Sequence, residues 1–186
     1  MREVLQLHME EQQYREMIRR YHFNEEDLAQ IRQIGKLTME AAAPVLYYEI
    51  LEQDSRLAVI VTLGEGVDEL QQRCVCRERL LESYMIECVA MELMRCAYEQ
   101  AAECIHAHTG MWITGFDFLG DKIPLNCMEE IFVQLMPLEV SYNQAYMLTP
   151  RKSVVFMTGL CAKRQDSYCR VCSGCGNLSC THRQPG

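Results

Sequence analysis

The sequence contains a run of closely spaced cysteines, CRVCSGCGNLSC, at positions 169–180. The thiols follow a C-x2-C-x2-C-x4-C pattern, and the glycines between them let the backbone turn tightly enough for the sulfurs to converge. Converging thiolates bind Zn²⁺ or an iron–sulfur cluster, whereas a reduced tail without metal is the simpler alternative. We predict a metal site whose ligands are Cys169, Cys172, Cys175 and Cys180.

The remaining cysteines and the charge indicate a protein of a reducing compartment. Six of the 11 cysteines are scattered through apolar or helix-like stretches, where a thiol behaves as a small hydrophobic group. The formal charge of −8 repels nucleic-acid backbones and anionic membrane surfaces. No apolar run reaches the length of about 18 residues that a membrane span needs, and the first residues, MREVLQLHMEEQ, are acidic where a secretory signal is apolar. We therefore expect a cytoplasmic protein with no nucleic-acid or membrane partner.

Length and composition predict one folded domain followed by a short tail. The chain has 186 residues, and 49% of them are hydrophobic, which suffices for a single core. We assign the domain to residues 1–160 and the cysteine-rich tail to residues 161–186.

The order of helical and strand-like segments indicates an α+β fold. Residues 78–108 contain no glycine or proline and are rich in strong helix formers, which predicts a long, largely buried helix. Two β-rich runs, 45–51 and 57–63, are separated by a polar link and are typical of paired strands. Further helices are predicted at 24–43, from Val67 onward and at 127–135, and further strands at 145–149 and 153–160. Since this order is not a strict βαβ alternation, we expect a twisted antiparallel or mixed sheet with the long helix packed centrally on it.

Two of these helices carry local polar patterns. A stripe of residues spaced by three and four follows the long helix and indicates a solvated face: Glu92, Arg95, Glu99 and Glu103. Asn126 and Glu129 are placed as the N-cap and third residue of the 127–135 helix, a variant of the capping box.

Four short motifs follow one another in a fixed order between residues 40 and 160. They are a T-L-G-E-G-V-D segment at 62–68, a glutamate after small residues at 88–92, a glycine–aromatic loop running into G-D and P-L at 115–125, and a methionine-rich strand running into P-R-K-S-V at 147–154. Together they resemble the activation domain of cobalamin-dependent methionine synthase in its stand-alone bacterial form. The spacing of Cys172, Cys175, Cys180 and Arg183 resembles the ending of those stand-alone proteins.

The resemblance implies an activity and its partners. In that family the domain binds S-adenosylmethionine and presents its methyl group to cobalamin in the inactive cob(II) state, while an external reductant supplies an electron. The implied partner is a corrinoid-carrying methionine synthase module or a related corrinoid protein, and this chain would be its accessory subunit. Because that reaction consumes an electron, the resemblance favours an iron–sulfur cluster over zinc in the tail.

The resemblance also implies a binding site. Its residues are Glu92, Gly115, Phe116, Asp121, Lys152 and Ser153, around a concavity bordered by the 111–125 loop and the 146–154 turn. Four of them have a simpler reading as well: Glu92 belongs to the solvated stripe, Asp121 makes a turn, and Lys152 and Ser153 are exposed turn residues.

One loop departs from the family pattern. The family's R-x-x-P-G-Y segment corresponds to residues 111–116, where Met111 replaces the arginine that holds the S-adenosylmethionine carboxylate and Phe116 replaces the tyrosine. A charge-assisted contact of that kind contributes about 1.5–3 kcal/mol. Two functions therefore stay open: reactivation of cobalamin by methyl transfer, and a non-catalytic corrinoid-protein partner or iron–sulfur electron carrier on the same fold.

Overall fold

The computed structural model describes residues 1–51 and 56–164, which form helices and antiparallel strands. The helices are α1 (Glu11–Arg20), α2 (Leu28–Ala41), α3 (Glu65–Cys76), α4 (Leu80–Thr109) and α5 (Cys127–Leu135), with a 3-10 turn at Glu25–Asp27. The strands are β1 (Arg2–Val4), β2 (Val45–Leu51), β3 (Arg56–Thr62), β4 (Trp112–Ile113), β5 (Asp117–Phe118), β6 (Ser141–Tyr142), β7 (Leu148–Thr149), β8 (Ser153–Thr158) and β9 (Leu160–Cys161). The predicted α+β class is confirmed.

Five of these strands form one antiparallel sheet in the order β1–β2–β3–β8–β5. β2 and β3 pair along their whole length, from Val45 opposite Thr62 to Leu51 opposite Arg56. On its other side β3 pairs with β8, so that Thr62 lies opposite Ser153. The two smaller sheets are β4–β9 and β6–β7. The pairing of β3 with β8 in the large sheet therefore joins distant segments, since Thr62 and Ser153 are 91 residues apart in the sequence.

Helices cover both faces of the sheet, which explains why β2 and β3 are apolar almost throughout. Leu46 and Tyr48 of β2 face a core that includes residues of α1, α2, α3 and α4. Val45 and Tyr47 alternate with them and face a second core, to which α5 contributes. The long helix thus packs on one face of the sheet and α5 on the other.

Helix α4 has 30 residues and extends for about 45 Å. Leu93, Ala97 and Ala101 on its inner side are fully buried. The helix ends at Gly110, which adopts the left-handed conformation (φ 71°) and donates its N–H to the carbonyl of His106 at 2.8 Å. The predicted long, largely buried helix is confirmed.

The start of α3 is fixed by a close contact with α2. Gly64 precedes the helix with a φ of 81°, a conformation that glycine adopts readily. A Cβ atom at Gly66 would lie 2.1 Å from the carbonyl oxygen of Ala41, so a larger residue does not fit there. This contact sets the direction in which the next turn of α3, with Asp68, leaves the sheet.

Several predicted boundaries differ from the structure. The 24–43 helix begins with a 3-10 turn, and α3 begins at Glu65 instead of Val67. Within the predicted 145–149 strand only Leu148–Thr149 pairs, with β6. Asn126 is the N-cap of α5 and Glu129 its third residue, as predicted, but the side chain of Asn126 makes no capping hydrogen bond. The N–H of Cys127 instead donates to the carbonyl of Pro124.

Candidate functional site

Two of the four sequence motifs meet at the end of β3. The N–H of Leu63 donates to the carbonyl of Lys152 at 2.9 Å, which continues the pairing of β3 with β8. The Ser153 hydroxyl donates to the Thr62 hydroxyl at 2.8 Å. The T-L-G segment and the P-R-K-S-V segment are therefore adjacent strands of one sheet.

Arg151 connects the same turn to α3. Its backbone N–H donates to the Asp68 carboxylate at 2.7 Å, and its Nε lies 3.4 Å from the other Asp68 oxygen. Its guanidinium also donates to the side-chain oxygen of Gln71 at 2.5 Å. The turn before β8 is thus held by two side chains of α3.

Lys152 connects the turn to α4 through an ion pair with Glu87. The lysine side chain is only 13% exposed. Gln71 donates to the same carboxylate at 3.2 Å. Burial raises the pKa of Glu87, but the hydrogen bonds from Lys152 and Gln71 outweigh burial and hold that pKa below its ordinary value. Lys152 is therefore a partly buried anchor, and the reading of it as an exposed turn residue is wrong.

Glu92 lies in the middle of α4 and is 3% exposed. It accepts a hydrogen bond from the Tyr21 hydroxyl at 2.9 Å and forms ion pairs with Arg20 and, at 3.2 Å, with Arg95. Burial and then the charge of Glu92 raise the pKa of Tyr21 above its ordinary value. The solvated-stripe prediction is wrong for Glu92, because residues at the end of α1 cover it.

Phe116 lies in an aromatic cluster between the sheet and α4. Its ring centroid is 5.0 Å from that of Phe156 and 5.3 Å from that of Tyr98, and 6.0 Å from the stacked ring of Phe118. The side chain is 7% exposed. Phe116 thus contributes to the core in this structure.

Several other residues of the 111–125 loop are nearer the surface. Apart from its chain neighbours, no heavy atom lies within 4 Å of the position of a Cβ at Gly115. Asp121 is exposed and follows Gly120, whose φ is 85°. Met111, where the resembled family has an arginine, is 38% exposed. Trp112 stacks on His106 with their centroids 3.8 Å apart.

The predicted site residues lie at three places along α4. Lys152 pairs with Glu87, Glu92 is one to two turns further along the helix, and Phe116 contacts Tyr98. The distance from Glu87 to Tyr98 along the helix axis is about 16 Å. Lys152 and Phe116 therefore contact α4 at residues that are about 16 Å apart along the helix axis.

Three cavities border these regions. The first, of about 730 Å³, is lined by Asp68, Glu69, Gln72, Arg73, Cys76, Arg77 and Arg151. The second, of about 570 Å³, lies between α1 and residues 95–103 of α4, and the third, of about 490 Å³, is bordered by Gly64 and Thr149. The 146–154 turn borders the first and third cavities. None of the three is lined by residues 111–125 or by any of the six predicted binding residues.

The predicted metal ligands Cys169, Cys172, Cys175 and Cys180 lie outside the described residues. Within residues 1–51 and 56–164, no group of three or more His, Cys, Asp or Glu residues is arranged to hold a metal ion. No helix in that part of the chain combines the length and the apolar character of a membrane span.

The sequence analysis missed the partners that fix these side chains. Arg20 is the last residue of α1 and Tyr21 its C-cap, and this helix was not predicted from the sequence. Gln71 and Glu87 lie on surface-like positions of predicted helices, and no spacing rule links them to Lys152. Lys152 could have been identified from the sequence as a charged residue without an oppositely charged neighbour in its own motif. Its partner Glu87 could not.

Comparison with known proteins adds no assignment. No model of a known protein family matches the chain, and the search of curated proteins finds no relative.

Proposed function

We propose that this protein reductively reactivates a cobalamin-dependent methionine synthase, or a related corrinoid protein, with S-adenosylmethionine as methyl donor to cob(II)alamin. One electron from an external reductant and the methyl group of S-adenosylmethionine would convert cob(II)alamin to methylcobalamin and leave S-adenosylhomocysteine. The protein would act in the cytoplasm as an accessory subunit with the fold of the methionine synthase activation domain.

The observation that carries this proposal is the meeting of the resemblance motifs around α4. Asp68 of the V-D motif and Arg151 of the P-R-K-S-V motif are in direct contact, and Lys152 next to Arg151 pairs with Glu87, beside the 88–92 motif. Phe116 of the glycine–aromatic loop packs on the same helix through Tyr98. Motifs that are distant in sequence but contact one helix belong to one structural unit, which supports a common origin for the resemblance.

The chain's own residues would serve mainly to position two partners. Holding a sulfonium ligand next to a corrin face is a matter of orientation more than of proton transfer. Arg151 and Lys152 fix the turn before β8 against α3 and α4, and this turn is one border of the expected binding region. Since none of the six residues implied by the resemblance lines one of the three cavities, the binding of S-adenosylmethionine is proposed on the resemblance alone.

A second candidate is a non-catalytic corrinoid-protein partner or iron–sulfur electron carrier on the same fold. Two observations favour it. Met111 stands where the family has its carboxylate-binding arginine, and the carboxylate of Glu92 is already engaged by Arg20, Arg95 and Tyr21. The cysteines of the 169–180 segment would then supply the cluster.

Methyl transfer is tested with the purified full-length protein and a bacterial methionine synthase from which the activation domain has been deleted. The synthase carries cob(II)alamin, titanium(III) citrate is the reductant, and S-adenosylmethionine is labelled in its methyl group. We expect labelled methylcobalamin only when the protein is present. Absence of labelled product, together with no heat of S-adenosylmethionine binding at millimolar ligand, would exclude the methyl-transfer function.

The second candidate is tested by anaerobic purification, metal analysis and an absorption spectrum. It predicts a brown, reducible protein whose colour is lost when Cys169, Cys172, Cys175 and Cys180 are all replaced by serine. A colourless protein that contains zinc would contradict the electron-carrier role and assign a structural ion to the tail.

A further inference from the structure

The first of the three cavities is a groove between α3 and the turn that precedes β8. Its lining contains three arginines: Arg73 lies in the last turn of α3, Arg77 is the C-cap of that helix, and Arg151 lies in the turn before β8. The protein as a whole has a formal charge of −8. Three arginines around one cavity are therefore unexpected in a chain with an excess of acidic residues.

The three guanidiniums differ in how they are held. Arg151 is oriented by Asp68 and by Gln71, which leaves part of its donor set unused. Arg73 has a loose pair with Glu69 at 3.8 Å, and both side chains are more than half exposed, so this pair contributes little. Arg77 forms no hydrogen bond or ion pair through its side chain with any described residue.

The charge balance of the lining leaves the groove positive. Its carboxylates belong to Asp68 and Glu69, and each already faces one arginine, Arg151 and Arg73 respectively. The charge of Arg77 is left without a counter-charge among residues 1–51 and 56–164. Arg151 on one side of the groove and Arg73 and Arg77 on the other can therefore donate hydrogen bonds to the same bound anion.

We propose that this groove binds a small organic phosphate. A tetrahedral phosphate has enough acceptor oxygens to be shared by three guanidiniums, whereas a planar carboxylate matches a single fork. The cavity of about 730 Å³ is much larger than one phosphate and falls in the usual range of small-molecule sites, about 300–1,000 Å³. The proposal for this groove does not depend on the proposed reactivation of cobalamin, although Arg151 belongs to the 146–154 turn that borders the expected binding region.

The test uses pyrophosphate as the probe with the full-length protein. Binding is measured by titration calorimetry at constant ionic strength, with acetate as a planar anion for comparison. We expect pyrophosphate to bind at least about tenfold more tightly than acetate, and Arg77→Gln to weaken pyrophosphate binding by about tenfold or more.

Arg19→Gln is the matched control, because Arg19 is exposed on α1, has no ion pair among the described residues and lies outside the groove. This variant should bind pyrophosphate like the unmodified protein. Thermal unfolding of both variants verifies that they are folded. Pyrophosphate binding is also measured for an Arg73→Gln variant, which removes a second arginine of the groove. Undetectable pyrophosphate binding, equal weakening by Arg19→Gln and Arg77→Gln, or binding that acetate matches would each overturn the proposal.

Discussion

The backbone N–H of Arg151 donates a hydrogen bond to the carboxylate of Asp68 at 2.7 Å, across 83 residues of sequence. A backbone donor fixes the main chain itself, so this contact holds the turn before β8 in place and not merely one side chain. The adjacent ion pair between Lys152 and Glu87 holds the same turn on α4. The turn is therefore fastened to two helices at once.

Replacing Asp68 should loosen this turn. Asp68→Ala leaves the Arg151 N–H without its acceptor and removes an ion pair, and we expect the free energy of unfolding to fall by about 1–3 kcal/mol. Asp68→Asn keeps an acceptor oxygen and should cost less. Chemical denaturation measures both. Glu69→Ala is the control, since Glu69 is 66% exposed on the same helix, and should change stability by less than about 0.5 kcal/mol. Equal losses in Asp68→Ala and Glu69→Ala would show that the contact is unimportant.

Glu92 should be a structural anchor. Its carboxylate is buried, and Arg20 and Arg95 are only 22% and 30% exposed. Glu92→Ala leaves two partly buried guanidiniums without their shared counter-charge, so we expect a loss of about 3 kcal/mol in denaturation experiments. Glu99→Ala, which removes only an exposed pair with Arg95, should cost less than about 1 kcal/mol. If the two variants were equally stable, Glu92 would not be a structural anchor, and its carboxylate would be available to bind a ligand.

These contacts mark the limit of what the sequence could predict. The long helix and the 45–51 strand were predicted because unbroken helix formers and apolar β-branched runs are local signals. The burial of Glu92 was not predicted, because polar residues spaced by three and four occur both on a solvent-exposed helix face and on a face that another helix covers, as α1 does here. Nor does any local pattern show which strand becomes the second neighbour of β3. Site partners such as Glu87 are determined by that tertiary arrangement.

Alkaline pH should destabilise the protein through Cys88. Burial raises the pKa of this thiol to about 11, whereas the same thiol in an unfolded chain titrates near its ordinary value of 9.0. Between these values the unfolded chain releases a proton that the folded chain keeps, so stability falls as the pH rises from about 9 to about 11. The raised pKa of Tyr21 acts in the same direction at still higher pH.

Urea unfolding at a series of pH values measures this slope. Cys88→Ala should flatten it, whereas Cys76→Ala should leave it unchanged because Cys76 is exposed. If the free energy of unfolding fell with pH equally steeply in both variants, the loss of stability at alkaline pH would come from groups other than Cys88.

Introducing at position 111 the arginine of the family that the sequence resembles should add a ligand contact. Met111 is 38% exposed, so Met111→Arg can be accommodated without disturbing the core. If the proposed function holds, this variant should bind S-adenosylmethionine about tenfold more tightly or better, the equivalent of one charge-assisted contact. Calorimetry measures the change.

The control for this variant is Leu80→Arg, which adds the same charge at a position that is 66% exposed on α4. It should leave S-adenosylmethionine affinity unaltered. Equal affinity gains in both variants, or none in either, would mean that residues 111–116 are not where the carboxylate binds.

The position of β8 between β3 and β5 has a consequence for biosynthesis. While the ribosome is still translating residues before 153, the nascent chain can pair β1, β2 and β3 but presents one open edge of β3, an apolar strand with unpaired backbone groups. Such an edge recruits other nascent chains, so newly made protein should need a holding chaperone until β8 emerges.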